Sequence, residues 1–339
     1  MAFTYLLGAG ASFKTLPLVA SFPKVIEELI KDFHQDLIRP YLTNLEVPEQ
    51  NDLLEKNENL LKDLSVVYKA SKEHASIDTY AKKLDLLGDY QKLVMVKSVI
   101  DLVLTYQHVK NGVDFRYDTF FATLLIKDKS ELKLPNSINL LSWNYDVQVE
   151  ASLSRFRGKE DCDVGKLMNI MPNRTNEFDS STFSLLKLNG SIGYYRPVFP
   201  EKGSISTGMG NWPRNQKEIN ELKVYLIERH SNFVRGAFHP TIHYSWEDID
   251  YTDATRKGAY SIAASTQILV VIGYSFPTFN RQMDHAILNK MSNLTKVYIQ
   301  TPTESFQGVK ERMKALRRDL EIYHVENLEE FYIPFEYGL

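Results

Sequence analysis

Cysteine is almost missing from this chain, since Cys162 is the single cysteine among 339 residues. One thiol cannot close an internal disulfide, and it cannot supply the two to four cysteine ligands of a typical structural zinc site. Hydrophobic residues make up 43% of the chain and charged residues 24%, which is close to the average for globular proteins. We therefore expect the fold to depend on a hydrophobic core, without disulfides.

Long apolar runs and a strong charge bias are missing as well. No stretch approaches the roughly 20 apolar residues of a membrane-spanning helix, and the N-terminus lacks the basic start of a signal peptide. The formal net charge is −3 and the pI is about 6.3, which disfavours a nucleic-acid-binding surface even though residues 310–318 are locally basic. We expect a cytoplasmic protein that binds neither membranes nor nucleic acid directly.

Short apolar segments alternate with helical patterns along most of the chain. The β-prone segments lie at residues 3–7, 137–141, 183–188, 267–272, 296–299 and 321–324. Helical patterns separate most of them, at residues 145–154, 252–265, 279–291 and 304–319. This alternation is typical of a parallel sheet with both faces covered. It predicts an α/β fold: a Rossmann-type parallel sheet of about six strands, with helices on both faces.

Proline and glycine are scarce between residues 48 and 127, where leucines recur at helical spacing. We interpret 48–127 as a helical subdomain inserted into a core formed by residues 1–47 and 128–325. Residues 197–240 contain several glycines and prolines and are interpreted as a second insertion. Residues 326–339 form an aromatic-rich C-terminal tail, which we expect to dock on its own domain.

Polar or glycine-containing segments follow four of the predicted strands, at residues 8–12, 142–146, 189–191 and 273–275. In an open parallel sheet, ligands bind at the carboxyl ends of the strands. Small residues there let backbone N–H groups approach a pyrophosphate. The first segment alone is weak evidence, because Phe13 stands where the G-x-G-x-x-G fingerprint needs its third small residue.

Taken together, four motifs are much more specific: GAGAS at 8–12, WNYD at 143–146, LNGS at 188–191 and GYSFP at 273–277. In this order they resemble the sirtuin-like (SIR2-like) superfamily, particularly its bacterial anti-phage branch that depletes NAD⁺. The resemblance implies an NAD⁺ glycohydrolase, which takes NAD⁺ as its substrate, releases nicotinamide and ADP-ribose, and serves as the effector of a defence system. Such an enzyme must stay silent in healthy cells, which implies an operon-encoded partner protein or self-assembly that gates its activity.

The resemblance also implies roles for particular residues. Asn144 would bind the ribose and position the attacking water, with Asn189 also in the catalytic group. Asp146 would order this pocket or merely cap the next helix, and both interpretations stay open. Asp78 would reach the nicotinamide pocket, unless it only caps a helix. The remaining residues implied to bind NAD⁺ are Gly8, Ala9, Gly10, Ala11, Ser12, Gly190, Ser191, Gly273, Tyr274 and Ser275.

Two departures from the sirtuin pattern limit these expectations. Sirtuin deacylases carry a four-cysteine zinc module, which one cysteine cannot form. They also carry a histidine as general base where this chain has Asn189, and an amide cannot accept a proton near neutral pH. Peptide deacylation is therefore disfavoured, whereas NAD⁺ hydrolysis can rely on positioning and electrostatics. The alternative is a catalytically silent module that binds NAD⁺ or ADP-ribose inside a larger defence assembly.

A metal site is the remaining candidate. His239 and His243 lie four residues apart, with Glu247 and Asp248 nearby. Pro240 pushes His239 out of a helical conformation, however, so the spacing does not place both imidazoles on one helix face. We expect no metal, and we keep open that one of these histidines replaces the missing base.

Overall fold

A computed structural model of the chain describes residues 1–42, 46–129, 131–156, 164–172, 178–197, 205–206, 216–247 and 252–338. Cys162, Asp248 and the glycines of the segment 203–210 lie outside the described residues. The chain divides into two compact units. The first comprises Met1–Lys14, Val113–Ser191 and His243–Leu339, and the second comprises Thr15–Gly112 and Ile192–Ile242.

The first unit contains a seven-stranded sheet. Its strands are β1 (Phe3–Leu7), β4 (Ile138–Ser142), β5 (Asn169–Met171), β6 (Ser184–Lys187), β10 (Ile268–Ile272), β11 (Lys296–Gln300) and β12 (Ile322–Val325), while β2 (Ile126–Asp128) and β3 (Glu131–Lys133) form a separate hairpin. Its helices are α6 (Phe115–Leu124), α7 (Gln148–Arg155), α9 (Thr252–Ser265), α10 (Arg281–Lys290) and α11 (Thr303–Leu316).

The strand order is β12-β11-β10-β1-β4-β6-β5, and every neighbouring pair is parallel. The predicted Rossmann-type parallel sheet is therefore confirmed, with β5 as an additional edge strand. From β1 the chain proceeds to β4 on one side, and it later returns to β10 on the other side. The order thus reverses at the β1–β10 pair, which is the kind of position where doubly wound sheets form a ligand crevice.

Alternation along the strands gives the sheet two apolar faces. Leu6, Leu141 and Val271 belong to one buried cluster, which also contains apolar residues of α9, α10 and α11. Tyr5 and Leu140 belong to the other, which contains residues of α6, α7 and the C-terminal tail. Because each face is covered by helices, the strands can be buried along their whole length, as the burial pattern of β1 and β10 shows. The prediction of helices on both faces is confirmed.

The second unit is mainly helical. It contains α1 (Phe22–Asp32), α2 (Gln35–Ile38), α3 (Val47–Glu73), α4 (Ile77–Leu86), α5 (Tyr90–Asn111) and α8 (Gln216–Val234), together with the antiparallel strands β7 (Tyr194–Pro197), β8 (Ile205–Ser206) and β9 (Phe238–Pro240). The segment 48–127, interpreted from the sequence as one insertion, contributes α4, α5 and most of α3 to this unit and α6 to the first.

Local signals explain where several helices of the second unit begin. Ser76 accepts a hydrogen bond from the Thr79 backbone N–H and so caps α4, while Asp89 caps α5 in the same way. Asp78 is therefore not the cap of α4. It lies in the first turn, where a negative charge complements the helix dipole. Within the described ranges, no helix is long and apolar enough to cross a membrane.

Candidate functional site

The four polar segments leave the sheet at one edge. Leu7, the last residue of β1, pairs in register with Ser142 at the end of β4 and with Ile272 at the end of β10. Ser142 in turn pairs with Lys187 at the end of β6. Because all four strands are parallel, the segments that follow them emerge at the same level. The GAGAS, WNYD, LNGS and GYSFP motifs therefore meet at one end of the first unit.

The glycines after β1 and β10 allow two loops to pack backbone against backbone. A β-carbon on Gly10 would lie 2.6 Å from the α-carbon of Gly273, and one on Gly8 would lie 2.5 Å from that of Tyr274. Gly273 has a φ of +59°, a left-handed conformation that favours glycine. The Gly10 N–H donates to the Gly273 carbonyl over 3.0 Å. The fold itself therefore requires glycine at these positions, whether or not the glycines also contact a ligand.

Asn144 connects the WNYD motif to the first glycine loop. Its side-chain Nδ2 donates to the Gly8 carbonyl over 2.9 Å, and its backbone N–H donates to Ser142 Oγ over 3.1 Å. The residue is 7% exposed. Its Oδ1 makes no hydrogen bond to any other described residue, so this acceptor is available at the carboxyl end of β4, beside the strand-order reversal.

Asn189 carries a buried acceptor that lacks a partner. Its Nδ2 donates to the Trp143 carbonyl over 3.2 Å, whereas its Oδ1 is buried without a hydrogen bond among the described residues. Leaving such an acceptor unsatisfied costs about 1–3 kcal/mol. The Asn189 carbonyl accepts from the backbone N–H of His243 over 3.0 Å, so this histidine lies next to the LNGS motif. A hydroxyl or water donor at Asn189 would satisfy the buried oxygen.

Asp146 forms a buried polar cluster beneath the first glycine loop. Its Oδ2 accepts from Ser12 Oγ over 2.9 Å, and its Oδ1 accepts from the backbone N–H of Gln148, the first residue of α7, over 3.0 Å. Ser12 Oγ also lies 3.0 Å from the Tyr117 hydroxyl. The carboxylate thus contacts both the GAGAS loop and the first residue of α7, while its role in ordering a ribose pocket stays a prediction.

Lys187 is the cation of this cluster. Its Nζ donates to the Asp146 backbone carbonyl and, over 2.9 Å, to Glu150 Oε1. Burial raises the pKa of the Asp146 carboxyl above its ordinary value, while the positive charge of Lys187 opposes this rise. Lys187 and Glu150 were not among the site residues predicted from the sequence. The available signal was a lysine inside the apolar run FSLLKL, because a buried lysine needs an anionic or carbonyl partner.

Arg116 was likewise not among the site residues predicted from the sequence. Its guanidinium is 2% exposed, pairs with Asp114 over 2.5 Å and donates to the Ala11 carbonyl over 2.8 Å. It also lies over the Phe13 ring, 4.4 Å from the centroid. Arg116 therefore holds the end of the GAGAS loop from the side of α6. No local pattern distinguishes this arginine from a solvent-exposed one.

Trp143 and Tyr274 meet through Asp284. The Tyr274 hydroxyl donates to Asp284 Oδ2 over 2.8 Å, and Trp143 Nε1 donates to Oδ1 over 3.2 Å. The two rings are nearly parallel, with centroids 5.9 Å apart. Burial raises the pKa of Asp284 to about 7, and the two hydrogen bonds oppose that rise. The Tyr274 side chain points into the interior of its unit, whereas Ser275 is exposed.

Other predicted residues are distributed as follows. Gly190, with a φ of +73°, forms the turn after β6, and Ser191 Oγ lies 3.4 Å from the Tyr145 carbonyl. Ala9 is the exposed residue of the first glycine loop. Asp78 belongs to the second unit, and His239 and His243 belong to different units. Among the described residues, no three His, Cys, Asp or Glu side chains are grouped so that they could hold a metal ion.

No protein family model matches this chain, and no curated protein matches it. Among solved structures, the chain is similar to Sir2Tm bound to a propionylated peptide, with 12% sequence identity and a TM-score of 0.35. The similarity covers 97% of this chain and 89% of that chain. The likeness is distant, and no residue role in this chain rests on it.

Proposed function

We propose that the first unit binds NAD⁺ and hydrolyses its nicotinamide–ribose bond, which yields nicotinamide and ADP-ribose. The observation that carries this proposal is the pair of amide oxygens on Asn144 and Asn189. They follow adjacent parallel strands, β4 and β6, and Asn189 Oδ1 is buried without a partner among the described residues. Ribose hydroxyls and water are donors suited to both oxygens. The motif resemblance supplies the identity of the dinucleotide.

Some residues at the strand ends could contact NAD⁺, whereas others already use their hydrogen-bonding groups within the protein. The Gly8 and Gly10 N–H groups donate to the Ile272 and Gly273 carbonyls, so they are not free to bind a phosphate. Ala9 is exposed, and the pyrophosphate would therefore meet the loop at this residue. The Asp146 carboxylate, two residues beyond Asn144, would provide negative charge near the nicotinamide ribose, which becomes positively charged as the bond breaks.

Hydrolysis of this bond places modest demands on proton transfer. The nicotinamide ring leaves as a neutral molecule and needs no general acid, and the ribose carbon becomes oxocarbenium-like as the bond breaks. Water then adds at that carbon and releases its proton to solvent. An amide can orient the water and the ribose hydroxyl, although it cannot take the proton. The chemistry is thus compatible with asparagine at position 189.

The proposal is tested by comparing the rate of NAD⁺ hydrolysis of Asn144→Ala with that of wild type. Losing one positioned contact of this kind costs on the order of 10²–10³-fold in rate. We expect the purified protein, alone or with its operon partner, to convert NAD⁺ and etheno-NAD⁺, and Asn144→Ala to lose most of that activity. Asn289→Ala, an exposed asparagine on α10 of the same unit, is the matched control and should keep wild-type turnover. Equal turnover by wild type and Asn144→Ala would contradict the proposal.

A silent NAD⁺- or ADP-ribose-binding module is the second candidate. It is favoured by Asn189 itself, whose amide group is held by the Trp143 carbonyl and cannot serve as a base. Calorimetry with ADP-ribose separates the two candidates. Tight binding without any NAD⁺ turnover, even with the partner present, would select the silent module.

The biological role that we propose is that of an effector in bacterial anti-phage defence. An enzyme that drains NAD⁺ must be held inactive until infection, so a partner protein or self-assembly would gate it. Expression of the chain with and without its operon neighbour tests this role. Toxicity that is relieved by Asn144→Ala and not by Asn289→Ala would support it.

A further inference from the structure

Asp284 is a buried carboxylate that belongs to none of the four motifs. It lies on α10 and is 2% exposed. Its two oxygens accept hydrogen bonds from Trp143 Nε1 and from the Tyr274 hydroxyl, which also accepts from Asn280 Nδ2 over 3.1 Å. Among the described residues, no lysine, arginine or histidine forms an ion pair with it. A carboxylate buried with neutral donors alone is costly for the fold.

The two donors come from loops on opposite sides of β1. Trp143 directly follows β4 and Tyr274 is the second residue after β10, while β1 lies between these two strands. The backbone of Trp143 extends the connection, because its N–H donates to the Leu7 carbonyl and its carbonyl accepts from Asn189 Nδ2. A continuous set of hydrogen bonds therefore runs from Asp284 through Trp143 to the side chain of Asn189.

We propose that Asp284 is a positioning residue: it fixes Trp143 and Tyr274 across the reversal of strand order and, through the Trp143 carbonyl, sets the orientation of the Asn189 amide. This inference rests on the proposed function for its effect on catalysis. The positioning itself does not depend on turnover. It predicts that the Asn189 side chain responds to a change at a residue that it does not touch.

Asp284→Asn is a suitable substitution because the amide has nearly the same shape. Its oxygen can still accept from Trp143, and its nitrogen can donate to the Tyr274 oxygen, but it cannot accept from both donors at once. The protein should therefore fold while the geometry at Trp143 and Tyr274 changes. Asp253→Asn, an exposed aspartate on the neighbouring α9, is the matched control.

The side-chain amide resonances of Asn189 give a readout that needs no ligand. In protein labelled with ¹⁵N-asparagine, Asn189→Ala identifies these resonances. At pH 8, where the Asp284 carboxyl is ionised, we expect Asp284→Asn and Tyr274→Phe to shift them, and Asp253→Asn to leave them in place. Unchanged Asn189 resonances in a folded Asp284→Asn protein would overturn the proposal, whatever the protein does with NAD⁺.

Kinetics then connect the positioning to function. Small misplacements of reacting groups cost up to about 10²-fold in rate, so we expect Asp284→Asn to lower kcat about tenfold or more with KM changed less than about threefold. If Asp284 acts through Asn189, adding Asp284→Asn to Asn189→Ala should cause no further loss. Additive losses, or wild-type kcat in Asp284→Asn at pH 8, would overturn the link from Asp284 to catalysis. Failure of wild type both to bind ADP-ribose and to hydrolyse NAD⁺ would instead count against the proposed function.

Discussion

At the scale of single residues, Asp284 couples the stability of the fold to pH. Burial raises the pKa of its carboxyl from 3.8 to about 7. The folded protein therefore keeps this proton up to about pH 7, whereas the unfolded chain releases it near pH 4. The free energy of unfolding should fall as pH rises between these values and level off above about pH 7. The change in pKa corresponds to about 4 kcal/mol as an upper estimate.

Asp284→Asn should remove this part of the pH dependence, because an amide has no proton to lose in that range. Urea titrations at pH 5 and pH 8 measure it. The variant and wild type should have similar stability at pH 5, and the variant should be the more stable at pH 8. Asp146, whose pKa burial also raises, contributes the same sign to both proteins and cancels in the comparison. A variant less stable than wild type at pH 8 would show that the two hydrogen bonds outweigh the burial of charge.

Single residues of the candidate site differ in how far the sequence predicts them. The positions of Asn144 and Gly273 at one sheet edge were predictable because each belongs to a short motif that follows an apolar strand, and parallel strands end at one edge. Their roles toward a ligand stay predictions. Asp284 and Lys187 contact residues far away in sequence. The local pattern of Asp284 is that of an ordinary helix residue, whereas Lys187 stands out inside an apolar run that does not identify its partners. Their roles depend on the tertiary packing that joins α10 to β4 and β6 to α7.

At the scale of elements, the two glycine loops behave as one interlocked piece. Gly10→Ala would place a β-carbon 2.6 Å from the Gly273 α-carbon, and backbone atoms cannot move away as a flexible side chain can. We expect a loss of about 1–3 kcal/mol in stability, as for other overpacked sites. Thermal and urea unfolding measure it, and ADP-ribose binding should weaken in parallel.

Gly308→Ala is the matched control for this substitution. On α11 the added β-carbon would meet only the end of the Arg312 side chain, 4.0 Å away, and alanine is favoured over glycine in a helix by about 1 kcal/mol. Stability should therefore rise at Gly308 and fall at Gly10. A Gly10→Ala protein as stable as wild type would show that the two loops can separate without cost.

The long apolar strands of the sheet were the most predictable elements. β1, β4, β6, β10, β11 and β12 are each four or five residues long, and each contains at least two adjacent apolar residues. β5 is three residues long and pairs only with β6 at the sheet edge, so its sequence carries too short a pattern. The packing of α8 against α3 and α5 joins segments distant in sequence, which local periodicity cannot predict.

At the scale of the whole chain, the C-terminal tail returns to the beginning of the first unit. The Tyr5 hydroxyl donates to the Tyr332 carbonyl over 3.1 Å, and the Phe3 ring contacts the Tyr337 ring edge to face. The Gln300 side chain at the end of β11 donates to the Asn327 and Glu330 carbonyls. The tail thus covers the face of the sheet that carries α6 and is part of its hydrophobic core.

Two phenylalanines of this tail allow a direct test of its contribution. Phe331 is 6% exposed and packs against Tyr117, Phe120 and the Arg116 guanidinium, whereas Phe335 is 91% exposed. Phe331→Ala should lower the free energy of unfolding by about 3–5 kcal/mol, the usual cost of removing a buried ring, and Phe335→Ala should change it little. Because Tyr117 contacts Ser12 and Arg116 holds Ala11, Phe331→Ala should also weaken ADP-ribose binding. Equal stability of the two variants would show that the tail only lies on the surface, and that the glycine loop is held without it.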